Sequence, residues 1–228
     1  MREIVLDTET TGMFPDEGDK IVEIGCLELL NHVPTGKTLQ IYLNPERDIP
    51  PEAVAVHGLT REFLKDKPVF SQVYTDLLDF IGDAKLVIHN AEFDMKFLNA
   101  ELREVGHPPL QWGRVVDTVT MARQKYPGQP ANLDALCRRF GIDNTERTLH
   151  GALLDSELLA EVYMELLGGR QHGLLTIGAD ATGKSTASIK IDRPYREPRP
   201  HEASAKELKA HGEMLQKLAN ALWLKKTG

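Results

Sequence analysis

Ile4-Val5-Leu6-Asp7-Thr8-Glu9-Thr10-Thr11-Gly12 runs from a short apolar strand into a turn-prone Thr-Thr-Gly and carries two acids across the junction. Side chains two apart on a strand share a face, so Asp7 and Glu9 project side by side from one strand end. Two neighbouring carboxylates repel each other unless a cation or a proton lies between them. The pair suits divalent metal binding. An exposed strand end carrying two solvated acids is the plain alternative, which so short a motif does not exclude by itself.

Outward from this stretch, apolar runs at Ile21 to Leu30, Leu39 to Leu43, Leu86 to Ile88 and Val115-Val116 predict further strands. Helical spacing appears in Val73, Leu77, Leu78 and Ile81, then in Phe97, Leu98, Leu102 and Val105. It returns in Leu133, Leu136 and Phe140 and again in Leu154, Leu158, Val162 and Leu166. Early strands with short connections predict antiparallel pairing, and later strands reached through helices predict parallel pairing. The expected fold is α/β, a mixed sheet flanked by helices.

The chain has 228 residues and 41% hydrophobic content, enough for one main core and an appendage. No apolar run is long enough for a signal segment or a membrane span, so a soluble, cytoplasmic protein is expected. Cys26 and Cys137 sit in apolar stretches without a nearby Cys or His and read as buried thiols. Charge is split: residues 1 to 168 carry 16 Lys and Arg against 28 Asp and Glu, a net of −12, and residues 169 to 228 carry 11 against 6, a net of +5. That acidic body argues against nucleic-acid binding by bulk electrostatics, which needs clustered Lys and Arg. A polyanionic substrate has to be reached locally, through metal ions.

Asp94 follows His89-Asn90-Ala91-Glu92-Phe93, with Asn90 a candidate N-cap, and Asp155 falls in the opening turns of the helix that starts near Gly151, just after His150. A carboxylate at a helix N-terminus is kept ionised by the dipole, although each acid alone reads equally as an ordinary first-turn charge. Together, Asp7-Thr8-Glu9-Thr10-Thr11-Gly12, His89-Asn90-Ala91-Glu92-Phe93-Asp94 and His150-Gly151-Ala152-Leu153-Leu154-Asp155 resemble the motifs of the DEDD superfamily of 3′→5′ exonucleases, histidine subclass. The resemblance covers residues 1 to about 168. Arg147-Thr148-Leu149-His150-Gly151-Ala152-Leu153-Leu154-Asp155 and Leu133-Asp134-Ala135-Leu136-Cys137 are most similar to the proofreading exonuclease subunits of bacterial DNA polymerase III.

The resemblance implies a ribonuclease H-like fold in which Asp7, Glu9, Asp94 and Asp155 hold two divalent ions, Mg²⁺ or Mn²⁺. Oxygen donors suit such hard cations. His150 would act as general base, its ordinary pKa near 6.5 allowing it to take a proton at neutral pH. The implied activity is hydrolysis of the 3′-terminal phosphodiester of DNA with release of nucleoside monophosphates. Thr10, Met13 and His57 would contact the terminal nucleotide, with packing and turn structure the alternative for Met13 and His57. An RNA-trimming exonuclease of the same superfamily, or a mainly structural tether, are the competing readings.

Residues 169 to 203, rich in Gly, Thr, Ser, Pro and charge, read as a flexible linker, and 204 to 228 as a C-terminal helix. Its stripe of Leu208, Met214 or Leu215, Leu218, Leu222 and Trp223 resembles the segment that docks on the polymerase (alpha) subunit. Gln171-His172-Gly173-Leu174 partly resembles a sliding-clamp-binding peptide but lacks its distal aromatic; Gln171 and Leu174 would be its contacts. Gly178-Ala179-Asp180-Ala181-Thr182-Gly183-Lys184-Ser185 fits phosphate-loop spacing, yet a proline-rich run follows it where a helix is needed, so no nucleotide binding is expected there.

Overall fold

The strand expected at Ile4-Val5-Leu6 extends over Arg2–Thr10 (β1) and forms the centre of a five-stranded sheet in the computed structural model of the protein. The structure describes residues 1–145, 147, 149–169 and 202–217. β1 pairs antiparallel with Ile21–Leu30 (β2), which pairs antiparallel with Val33–Tyr42 (β3). On its other side β1 runs parallel to Lys85–Ile88 (β4), and β4 runs parallel to Val115–Asp117 (β5). The sheet order is β3-β2-β1-β4-β5, the mixed pattern that short early and helical later connections predict.

β3 begins six residues before the expected Leu39. Asn31 and His32, at φ 52° and 67°, form a two-residue turn whose twist matches the hairpin. The added stretch is an exposed edge, so it lacks the apolar alternation that marks a half-buried strand. Three helices also escaped the periodicity: Pro51–His57 (α1), Arg61–Leu64 (α2) and, later in the chain, Thr118–Lys125, all of eight residues or fewer. The others fall where apolar spacing places them: Phe70–Ile81 (α3), Ala91–Glu104 (α4), Leu133–Phe140 (α6) and Ala152–Leu166 (α7), with Thr118–Lys125 as α5.

Strand alternation sorts the core onto two faces. Ile4 and Leu6 join the cluster under α3 and α4, and Val5 joins the one under α5, α6 and α7. All three are fully buried, and each contributes roughly 1.5–3 kcal/mol by leaving water. By the same alternation Asp7 and Glu9 fall on the α7 face and Thr8 on the α4 face. Cys26 and Cys137 are buried free thiols, as expected.

α7 lies unusually close to the sheet. A Cβ on Gly25 would sit 2.2 Å from the carbonyl carbon of Ala152, and Ser156 Oγ donates to the Gly25 carbonyl at 3.0 Å. Since Gly25 is the β2 partner of Asp7, this glycine lets the start of α7 reach the acidic end of β1.

The chain divides into two units, Met1–Thr176 and Ile177–Gly228. In the second, Ala205–Lys217 forms α8. Its start is a reciprocal cap: Glu207 N–H donates to Ser204 Oγ, and Ser204 N–H donates to the Glu207 carboxylate at 2.8 Å. Leu208 and Met214 are exposed there and Leu215 is buried. Leu218, Leu222, Trp223, Gln171, Leu174 and the segment 178–185 lie outside the described residues. Among the described residues no helix is long and apolar enough to cross a membrane.

Candidate active site

β1 and β4 are parallel, and at their carboxyl ends the acidic pair meets the starts of two helices. Asp94 is the fourth residue of α4 and Asp155 the fourth of α7, so each carboxylate sits one turn into a helix whose N-terminal dipole favours its charge. Asn90 precedes α4 as expected but does not cap it with its side chain. It adopts a left-handed conformation, φ 63°, and its backbone N–H donates to Asp117 Oδ1 at 3.2 Å. The sharp turn it makes carries the chain from β4 into α4. Thr8, on the opposite face from Asp7 and Glu9, donates its hydroxyl to Asp94 Oδ1 at 2.7 Å.

His150 stands on the loop before α7. Its N–H donates to the Val56 carbonyl at 3.0 Å, tying that loop to α1. Gly58, at φ 74° after α1, leaves room for Leu149; a Cβ there would lie 2.7 Å from Leu149 Cδ1. Both contacts hold the His150 loop over the end of β1.

Asp7, Glu9, Asp94, Asp155 and His150 line one cavity of about 480 Å³, with Met13 at its rim. Met13 is 64% exposed, which sets aside core packing as the reason for a methionine there. Thr10 and His57 are buried and are not among its walls. Thr10 Oγ1 donates to the Gly12 carbonyl at 2.6 Å, and His57 Nδ1 accepts from Leu59 N–H at 3.0 Å. Burial lowers the His57 pKa, and its Nε2 is buried with no hydrogen-bond partner among the described residues.

The acids are electrostatically frustrated. Burial, then repulsion by Asp94, Glu9 and Asp155, holds the Asp7 pKa well above the ordinary range. Burial chiefly pushes Glu9 up to about 8 and Asp94 up to about 7, the Thr8 hydrogen bond opposing the latter. Asp155 goes the other way: burial raises its pKa, but hydrogen bonds from Arg147 and His150 outweigh that and lower it. Its hydrogen bond to Asp155 in turn raises the His150 pKa.

Arg147 is a site residue that spacing did not single out, although it stands three residues before His150 in the quoted motif. Its Nε and Nη2 donate to the two Asp155 oxygens at 2.6 and 2.7 Å, and its Nη1 donates to Asp134 Oδ1 at 3.0 Å. The same Nη2 lies 2.9 Å from His150 Nδ1, and Asp155 Oδ2 lies 3.4 Å from that nitrogen. The ring tautomer therefore decides whether Nδ1 accepts from the guanidinium or donates to the carboxylate.

The donor set fits hard divalent cations. Carboxylates whose ionisation is opposed by burial and by one another are stabilised by a cation among them. Glu9, His150 and Asp155 each offer a ligand atom within 4.8 Å of the other two. Arg147 does not remove Asp155 from the set, because a carboxylate has about four lone-pair sites.

This sheet, with acids at its carboxyl end and flanking helices, defines an exonuclease of ribonuclease H-like fold. The sequence model of the exonuclease family RNase T matches residues 4–163. The chain is 47% identical to the DNA polymerase III subunit epsilon of Rickettsia conorii over 222 residues, covering 96% of each chain. To the same subunit of Haemophilus influenzae it is 42% identical over 255 residues, covering 100% of this chain and 96% of the relative. Exonuclease X, solved in complex with 5′-overhanging duplex DNA, superposes with a TM-score of 0.58 at 27% identity, over 72% of this chain and 90% of that one. The nuclease domain of 3′hExo, a DEDDh family member solved with rAMP, shares the fold at a TM-score of 0.63 and 20% identity, over 73% and 91% of the two chains. The chain belongs to this exonuclease family and, within it, to the epsilon subunits of DNA polymerase III.

Proposed function

We propose that the protein is the proofreading 3′→5′ exonuclease of a bacterial replicase, removing mispaired 3′ nucleotides from DNA as nucleoside monophosphates. The observation that carries this is the gathering of Asp7, Glu9, Asp94, Asp155 and His150 around one cavity. The four carboxylates would hold two divalent ions, Mg²⁺ or Mn²⁺, which when bound would supply positive charge for hydrolysis of the terminal phosphodiester. In the tautomer whose Nδ1 donates to Asp155 rather than accepting from Arg147, His150 Nε2 would be free to accept a proton from the attacking water. Arg147 keeps Asp155 ionised and aligned for that task.

Met13 offers an exposed apolar surface at the rim for the terminal base, while the buried Thr10 and His57 would act from behind it, Thr10 by bonding the Gly12 carbonyl and His57 by bonding the Leu59 N–H. In a body of net −12 over residues 1 to 168, bound cations would supply the positive charge a phosphodiester needs there. The relatives' naming as polymerase III subunits supports a polymerase partner, for which the sequence stripe of Leu208, Met214 or Leu215, Leu218, Leu222 and Trp223 is the proposed docking element. Clamp binding through Gln171 and Leu174 is the remaining partner proposal.

The test is nucleotide release from paired and mispaired primers, with metal and with chelator. His150→Ala is expected to lower turnover about 100- to 10,000-fold while Mg²⁺ binding by calorimetry survives. Asp7→Ala is expected to lose both. Near-wild-type turnover of His150→Ala between pH 6 and 9 would remove its role as base.

A further inference from the structure

We propose that a second groove beside the active site binds the unpaired nucleotides just upstream of the 3′ terminus, by stacking their bases on Phe14 and Trp112. This extends the exonuclease reading above and rests on it. The groove has a volume of about 670 Å³, larger than the catalytic cavity, and shares the walls Met13, Asn90 and Phe93 with it. A strand whose last nucleotide lies among the carboxylates can therefore continue into the groove without leaving the surface.

Its chemistry favours base faces. Phe14 is 57% exposed and Trp112 is 54% exposed, large aromatic surfaces left in water and both lining one concavity. Phe14 immediately precedes one short 3-10 turn, Pro15–Glu17, and Trp112 opens another, Trp112–Arg114. The charges nearly cancel. Lys96 is paired with Glu92 at 2.6 Å, Arg103 has no ion pair among the described residues, and Asp16 and Glu17 stand on the wall as well. A groove that gripped phosphates would carry an excess of cations. Stacking on aromatics is sequence-tolerant because every base has a π-face, which suits an enzyme that must accept any terminal sequence. An end frayed by more than one nucleotide supplies the unpaired bases such a groove takes, and fraying is cheapest beside a mismatch.

The experiment compares two substrates with the full chain and Mg²⁺: a single-stranded oligothymidylate, and the p-nitrophenyl ester of thymidine 5′-monophosphate, which is too short to enter the groove. Phe14→Ala and Trp112→Ala are each expected to raise KM for the oligonucleotide about tenfold and leave ester hydrolysis unchanged. Trp112→Phe, which keeps a stacking face, should restore most of the oligonucleotide KM. Unchanged oligonucleotide kinetics would overturn the proposal and leave the aromatic groove to a protein segment. Equal losses on both substrates would overturn it too, by showing that the rings act through the catalytic cavity. Wild-type protein inert on both substrates would sink the exonuclease reading itself, a result distinct from the other two.

Discussion

Thr8 is the smallest member of Asp7-Thr8-Glu9, and its neighbours on either side are the two acids. Its hydroxyl gives Asp94 a buried hydrogen bond at 2.7 Å, and that bond opposes the burial that would otherwise neutralise the carboxylate. Thr8→Val keeps the shape and deletes the donor. It is expected to weaken Mg²⁺ binding about tenfold, the scale on which loss of a partner behind a metal ligand is felt. Magnesium titration of activity measures this, with circular dichroism to verify the fold; unaltered Mg²⁺ affinity would show that Asp94 needs no such support. Nothing in the spelling Asp-Thr-Glu distinguishes Thr8 from a filler, because its role exists only when α4 stands on its face of the strand.

Among the elements, the approach of α7 to β2 decides the site. Gly25 lies opposite Asp7, and only the absence of a side chain there lets the first turn of α7 bring Asp155 to the acidic pair. Gly25→Ala would place a carbon 2.2 Å from backbone that cannot rotate away. The expected cost is about 3 kcal/mol of stability, at the upper end for overpacking. Turnover should fall further than in Ser156→Ala, which loses one hydrogen bond but leaves the spacing; thermal melts and primer assays of the two variants give the comparison. Equal turnover would mean that α7 has slack. Elements with a clear apolar stripe, such as α3, α4, α6 and α7, were legible from spacing, whereas α1 and α2 present too few turns for a period to emerge and α5, Thr-Val-Thr-Met-Ala-Arg-Gln-Lys, is mostly polar. The His150 loop is pinned to α1, so part of the site's support was invisible for that reason.

For the whole molecule, the concentration of negative charge couples stability to pH. Unfolded Asp and Glu titrate near pH 4. In the metal-free fold Asp94 is pushed up to about 7 and Glu9 to about 8, so between pH 4 and 8 the folded form holds protons that the unfolded form has released. Stability from these groups therefore falls as pH rises through that window. His150, raised by Asp155, acts in the same direction, since its contribution is lost as pH rises through its folded pKa. Asp155, with a lowered pKa, acts oppositely but only below about pH 4. In chelator, the melting temperature should drop by several degrees from pH 5 to pH 8.5. Mg²⁺ or Mn²⁺ should raise it more at the higher pH, because the ions bind the deprotonated carboxylates. Calorimetry with and without chelator tests both, and a metal-free melting temperature that climbs with pH would contradict the account.

Read alone, the sequence determined the mixed sheet, the main helices and the contrast between an acidic body and a basic tail, and through the resemblance of its motifs it pointed to the four acids and the histidine. These rest on local properties: strand alternation, helical spacing, and motifs short enough to be carried by neighbouring residues. Tertiary structure alone decided that Arg147 grips Asp155, that Thr8 supports Asp94 from the far face of β1, and that Gly25 sets the depth of α7. It also decided that Phe14 and Trp112, 98 positions apart in the chain, line one groove. Such contacts join residues far apart along the chain, and their energies depend on distances of a few tenths of an ångström that only the packed helices and sheet define.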